Sequence, residues 1–280
     1  MTNKLHFSKT LKSLLFATVT ALLISGCDSK APESKSSDVP PPETKTEEVV
    51  RIGVEGAYPP FSQTAKDGKL EGFDIDIAHA LCSNMKVKCE LVKQDWDGII
   101  PALLAKKYDA IIASMSMTDE RKEKVAFSNR YYQSPARFIT KKGAGVTISA
   151  EGLKGKSVGV QRGTVSDKFV TGTFGEGVDI KRYGTQEEAY LDLNAGRAEL
   201  VFADAFVLLE YLNSDKGKEY EFIGDSYSDP KYFGEGIGIA LRKDDTALTD
   251  RFNKAIDGIR SDGTYDTIQK KYFDFDIFGK

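Results

Sequence analysis

Val50-Arg51-Ile52-Gly53-Val54, closed off by Tyr58-Pro59-Pro60-Phe61, is the stretch from which the fold can be read. It is short and β-branched, as a strand buried on both faces of a sheet should be, and the prolines stop it. Asp67-Gly68-Lys69 has turn chemistry. Ile77, Ala78, Leu81 and Met85 follow at helical spacing, then 87–92 reads as a second strand. Trp96, Ile99, Ile100, Leu103 and Leu104 lie on one helical stripe, with Pro101 tolerated near its start. Residues 109–113 form the next strand, and Thr118 can cap the helix after it.

The same alternation restarts after Lys141. Ser157-Val158-Gly159-Val160 is a strand, and Gly163-Thr164 opens a helix. Residues 178–183 are again strand-like, and Thr185 with Glu188 forms a capping-box pair for a helix ending at Gly196. Residues 200–203 end at Asp204. Phe233-Gly234-Glu235-Gly236-Ile237-Gly238-Ile239-Ala240 suits a crossing segment that must bend, and two helices close the chain. Strand–helix alternation predicts an α/β fold with parallel sheets, and two runs of it predict two similar lobes.

Outside these runs the chain is different. Lys4, Lys9 and Lys12 precede an apolar stretch over 14–24, of signal-peptide length and short for a permanent span. It ends Leu23-Ile24-Ser25-Gly26-Cys27, small residues before a Cys, which resembles a bacterial lipobox. The expectation is a leader over 1–26 and lipidation of Cys27, whose acyl chains would hold the protein to a membrane. Residues 27–48, rich in Ser, Pro, Glu and Lys, cannot bury enough surface to fold and read as a tether. Cys82 and Cys89 remain; six residues apart in an exported protein, they read as a disulfide, with two buried thiols as the alternative.

The net charge of −3 argues against a nucleic-acid partner. His79 is the one histidine outside the leader, which makes histidine catalysis or a multi-histidine metal site a poor reading. No cofactor is implied. Open α/β sheets hold ligands at the carboxyl ends of their strands. Those ends carry Glu55 and Tyr58, then Ser114, Ser116 and Arg121, then Gly163, Thr164 and Ser166, then Asp204, with Trp96 before the second helix. One cation, two carboxylates, hydroxyls, a helix start and two aromatics suit a zwitterion. Each has a plainer role: Arg121 on a solvated helix face, Asp204 as a helix cap, Trp96 in the core.

Gly72-Phe73-Asp74-Ile75-Asp76, Asp97-Gly98-Ile99-Ile100-Pro101-Ala102-Leu103, Gly163-Thr164, Phe233-Gly234 and Asp262-Gly263-Thr264-Tyr265 carry a resemblance over most of 49–280. The chain resembles the periplasmic lysine/arginine/ornithine-, histidine- and arginine-binding proteins of bacterial ABC importers, with the opine-binding branch. The resemblance implies a two-lobed periplasmic binding protein fold with two hinge crossings and a ligand cleft between the lobes. Lobe 1 would comprise 49–138 and 234–280, and lobe 2 residues 139–233. Arg121 would hold an α-carboxylate with the amides of Ser116 and Val165. Asp204 and Ser114 would hold the ammonium, Tyr58 and Trp96 would sandwich the side chain, and Glu55 would meet a distal cation. A disulfide matching Cys82–Cys89 occurs in this branch. Partners would be a free basic amino acid, arginine first, and an ABC permease and ATPase, with the protein a monomer tethered at the cell envelope. Cyclohexadienyl dehydratases resemble these binding proteins, so a same-fold enzyme is the second reading. A sensor domain, needing a kinase or cyclase region after it, is the third.

Overall fold

The computed structural model describes residues 48–279. The leader, Cys27 and all of the tether except Glu48 lie outside the described residues. Glu48 is already part of the fold: its carboxylate pairs with Arg251 at 2.6 and 3.1 Å.

Two five-stranded sheets are built to one plan. The first runs Lys88–Lys93, Val49–Val54, Ala110–Ile111, Ile237–Leu241, Ala126–Tyr132 from edge to edge. The second runs Asp179–Tyr183, Ser157–Gln161, Leu200–Asp204, Ala136–Lys141, Tyr220–Tyr227. The first three strands of each are parallel, as the alternation predicts. One strand of each sheet runs against its neighbours: Ile237–Leu241 in the first and Ala136–Lys141 in the second. The departure from an all-parallel sheet has a simple cause. Each reversed strand is the one by which the chain arrives from the other sheet. It enters at the carboxyl ends of the parallel strands and must run away from them.

The crossings are 133–135 and 228–236, bounded by the strands on either side. Ala136 pairs with Asp204 and Tyr227, so 136–138 belong to the second sheet although the sequence reading kept them with lobe 1. Nothing in a short strand-like run such as Ala136-Arg137-Phe138-Ile139-Thr140 marks which sheet it will join. At the second crossing Gly234 has φ 68°, and a Cβ there would stand 2.4 Å from the Met117 carbonyl oxygen, so glycine is required twice over.

The helical faces read from the sequence pack as cores. Ile77, Ala78 and Leu81 of helix Phe73–Met85 are buried against Val50, Ile52, Phe252 and Ile256. Ile99 and Leu103 are buried while Leu104 is exposed, because the second helix is only Ile99–Leu104, preceded by a 3₁₀ turn at Trp96–Gly98. The capping box at Thr185 and Glu188 forms in both directions. A small sheet of Ala57–Tyr58, Ser62–Thr64 and Leu70–Glu71, not foreseen from the sequence, covers one end of the first lobe's helix. No described helix is long and apolar enough to cross a membrane.

Cys82 and Cys89 are joined as a disulfide, from the last turn of Phe73–Met85 to the edge strand Lys88–Lys93. The bridge closes a short loop and restricts the unfolded chain, a contribution of ~2–3 kcal/mol. Replacing both cysteines by alanine in protein lacking residues 1–27 is expected to lower the unfolding free energy by about that amount in urea melts. An unchanged midpoint, or two titratable thiols in the oxidised parent, would count against it.

Candidate functional site

The carboxyl ends of the parallel strands of both sheets face one cavity of about 650 Å³. Glu55, Tyr58, Trp96, Ser114, Ser116 and Arg121 line it from one half of the chain, and Thr164, Val165 and Asp204 from the other. Of the residues singled out by sequence, these nine and Ser166 are therefore brought together, while Gly163 is not part of the lining. Among the described residues no cluster of acidic, cysteine or histidine side chains is arranged to hold a metal ion.

Arg121 sits in the four-residue helix Asp119–Lys122, whose N-cap is Thr118. Its neighbours Asp119 and Glu120 are exposed, but its own side chain turns inward and is buried, so the solvated-face reading fails. One guanidinium nitrogen, Nη1, donates to the Ser116 carbonyl at 3.0 Å. The guanidinium carbon lies 5.1 Å from the centre of the Trp96 ring, within cation–π reach. One face of Trp96 is thus occupied by Arg121, and the ring also packs against the core cluster that contains Ile99, Leu103 and Tyr108. Arg121 has no ion-pair partner among the described residues, and burial draws its pKa down to about 10.

Asp204 ends strand Leu200–Asp204 and caps helix Ala205–Asn213. Its Oδ1 accepts from the Ser134 hydroxyl at 2.6 Å and from the Phe206 amide at 2.8 Å. Its Oδ2 meets no donor among the described residues. Capping and lining the cavity are therefore compatible: the cap uses Oδ1 and leaves Oδ2 unspent. Burial pushes the carboxyl up to about 6 against those hydrogen bonds. Ser134, in the first crossing, was not foreseen; a serine beside a proline in a connector gives no signal of its own.

Glu55 is buried, and its Oε1 accepts from the Gln161 side-chain amide at 2.5 Å. Burial raises its carboxyl to about 7, outweighing the Gln161 bond, with Asp95, Asp97 and Glu187 adding repulsion. Gln161 also donates to the Gly184 carbonyl at 3.1 Å. It ends strand Ser157–Gln161 and could have been found by the strand-end rule that found Asp204. The Thr164 hydroxyl is spent locally, donating to the Gln161 carbonyl and accepting from the Asp167 amide. The first-turn amides of Val165 and Ser166 remain without an acceptor among the described residues.

Contacts that join the two halves include Glu55 with Gln161, Asp97 with Arg162, and Glu120 with Lys168, and Phe206 packs on Phe273 and Phe275. The two ion pairs are exposed and the first contact is buried. This is a closed arrangement of two lobes about a charged cavity.

Such a scaffold, with strand ends of two similar sheets converging on one cleft, defines a protein that captures a small ligand between lobes. The chain belongs to the bacterial extracellular solute-binding proteins, family 3, whose model matches residues 50–275. It is 51% identical to the L-arginine-binding protein of Pseudomonas aeruginosa over 82% of this chain and 90% of that one. It is 45% identical to the lysine/arginine/ornithine-binding periplasmic protein of Escherichia coli, over 83% and 90%. Among solved structures, a Salmonella typhimurium periplasmic binding protein of high arginine specificity superposes with a TM-score of 0.76 at 35% identity, covering 81% of this chain and 99% of that one. Each of these relatives is a binding protein.

Gln161 lowers the Glu55 pKa while burial raises it, which sets a direct check. By carboxyl carbon NMR of ligand-free protein, Glu55 is expected to titrate near 7, and Gln161→Leu to move it higher. An ordinary carboxylate value in both proteins would remove Glu55 from the buried cleft.

Proposed function

We propose that this protein captures free arginine, with lysine, ornithine and histidine as weaker ligands, and delivers it to an ABC permease and its ATPase. One observation supports this most: the cleft holds a buried cation, Arg121, a buried carboxylate, Glu55, and a half-buried carboxylate, Asp204, none of them in an ion pair among the described residues. The complement of that set is one carboxylate and two cations on a single small molecule, which is a basic amino acid. In this reading Arg121 holds the α-carboxylate with the amides of Ser116 and Val165. Asp204 Oδ2 and Ser114 hold the α-ammonium. Glu55 meets the distal cation, and Tyr58 with the cavity-lining part of Trp96 encloses the chain between. A planar guanidinium suits such a slot better than a compact ammonium. The arginine names of two of the relatives reported above support the same choice.

The finer points of placement belong to the same proposal. Residues 1–26 are removed as a leader, Cys27 carries the lipid, and 27–48 tethers a monomer to the membrane. A dehydratase on this fold has less support, because a ring bearing two carboxylates would bring no cation to Asp204 and Glu55.

Calorimetry of the mature protein against a panel of amino acids tests the reading. Arginine is expected to bind best and glutamate hardly at all. Arg121→Ala should abolish binding of every amino acid. Glu55→Gln should cost arginine ~10-fold or more, as loss of a buried charge-assisted bond does, and cost glutamine little. Wild-type protein that prefers glutamine or glutamate to arginine would overturn the basic-ligand assignment.

The pKa values also fix a pH dependence. A distal cation selects ionised Glu55, so binding draws a proton from it at low pH. Arginine affinity is then full above pH about 7, falls as pH drops through 7, and falls further once Asp204 begins to take up its proton near 6. Each proton contributes up to about tenfold per pH unit. Flat affinity from pH 8 to 5 would argue that neither carboxylate meets the ligand.

A further inference from the structure

Ser114 is the one cavity residue other than glycine whose backbone occupies the left-handed region, with φ 51°. A residue with a Cβ stays there only when its surroundings hold it. What holds it is Asp74, in the first turn of helix Phe73–Met85 and fully buried. Asp74 Oδ2 accepts from the Ser114 amide at 2.8 Å and from the Ser114 hydroxyl at 3.0 Å. Asp74 Oδ1 accepts from the Tyr131 hydroxyl at 2.8 Å. Tyr131 is fully buried and is itself fixed, its carbonyl accepting from the Tyr265 hydroxyl at 2.7 Å. Three donors converge on two oxygens, the pattern of an ionised carboxylate; burial nonetheless raises the group to about 7 against those bonds, so it carries its charge at pH 8.

The arrangement has a chemical consequence at the cavity wall. A hydroxyl has one proton, and the Ser114 proton is directed at Asp74. Towards the cavity Ser114 Oγ therefore offers lone pairs alone. It can accept from a donor and has nothing to give to a carboxylate or a hydroxyl oxygen. Ser114 and Asp204 both line the cavity, with Asp74 behind Ser114.

We propose that Asp74 is a positioning residue of the ammonium subsite: it locks Ser114 in its left-handed conformation and fixes its hydroxyl as an acceptor, so that this end of the cleft selects an α-ammonium. The inference rests on the amino-acid reading and adds a residue that need not touch the ligand. Asp74→Asn keeps the shape but supplies one acceptor oxygen and an NH₂ that donates, which frees the Ser114 proton to turn into the cavity.

The test compares L-arginine with 5-guanidinopentanoate, which is arginine without its α-amino group, by competition calorimetry at pH 8. Wild-type protein is expected to prefer arginine, and Asp74→Asn to narrow that preference by ~10-fold while the affinity for the desamino compound changes little. Ser114→Ala, which keeps the backbone bond to Asp74 and removes the acceptor, should narrow it in the same direction. It carries the test alone if Asp74→Asn does not fold. An unchanged preference ratio, with both ligands weakened equally or not at all, makes Asp74 a structural residue only and overturns the inference while leaving the amino-acid reading standing. Wild-type protein that binds neither compound overturns both.

Discussion

Burying charge is the constraint around which this molecule is arranged. An ion taken out of water without a partner costs several kcal/mol, and the cleft holds Arg121, Asp204 and Glu55 in that condition among the described residues. The protein offsets part of the cost with neutral donors and acceptors: the Ser116 carbonyl and the Trp96 face for Arg121, Ser134 and two helix amides for Asp204, Gln161 for Glu55. None of these removes the charge. The displaced pKa values are the measure of what is left uncompensated, and they point the same way in all three: each group is pushed towards its neutral form.

The two sheets are what make that arrangement possible. Each sends the carboxyl ends of its parallel strands to the same space, and each receives one reversed strand that starts there. A ligand bridging Arg121 and Asp204 would touch both halves, so its contacts exist in full only when the halves meet. The two exposed ion pairs across the cleft, Asp97 with Arg162 and Glu120 with Lys168, are screened by solvent and individually weak. They bias closure without fixing it, and the buried groups decide.

Much of this was legible in the sequence, for identifiable reasons. Short β-branched runs and capping residues are local, so the parallel strands, the Thr185–Glu188 box, the Thr118 cap and the helix opening at Gly163-Thr164 could be read one at a time. The strand-end rule collected the site residues because it follows from parallel α/β architecture. What escaped is non-local. Whether 136–140 joins the first or second sheet depends on a pairing far along the chain. Gln161, Ser134 and Asp74 acquire meaning only from what faces them, Glu55, Asp204 and Ser114, at separations of 106, 70 and 40 residues. Arg121 looked ambiguous for the same reason: three of four residues in its short helix face solvent, and the sequence does not say which one turns in.

The returning strand Ile237–Leu241 has a consequence for how the protein comes into being. It is inserted between Ala110–Ile111 and Ala126–Tyr132, both made more than a hundred residues earlier. The second sheet has all five of its strands once residue 227 has emerged; the first cannot close until 241 has. During synthesis the earlier half must therefore wait, with a gap in its middle, while the later half can complete itself.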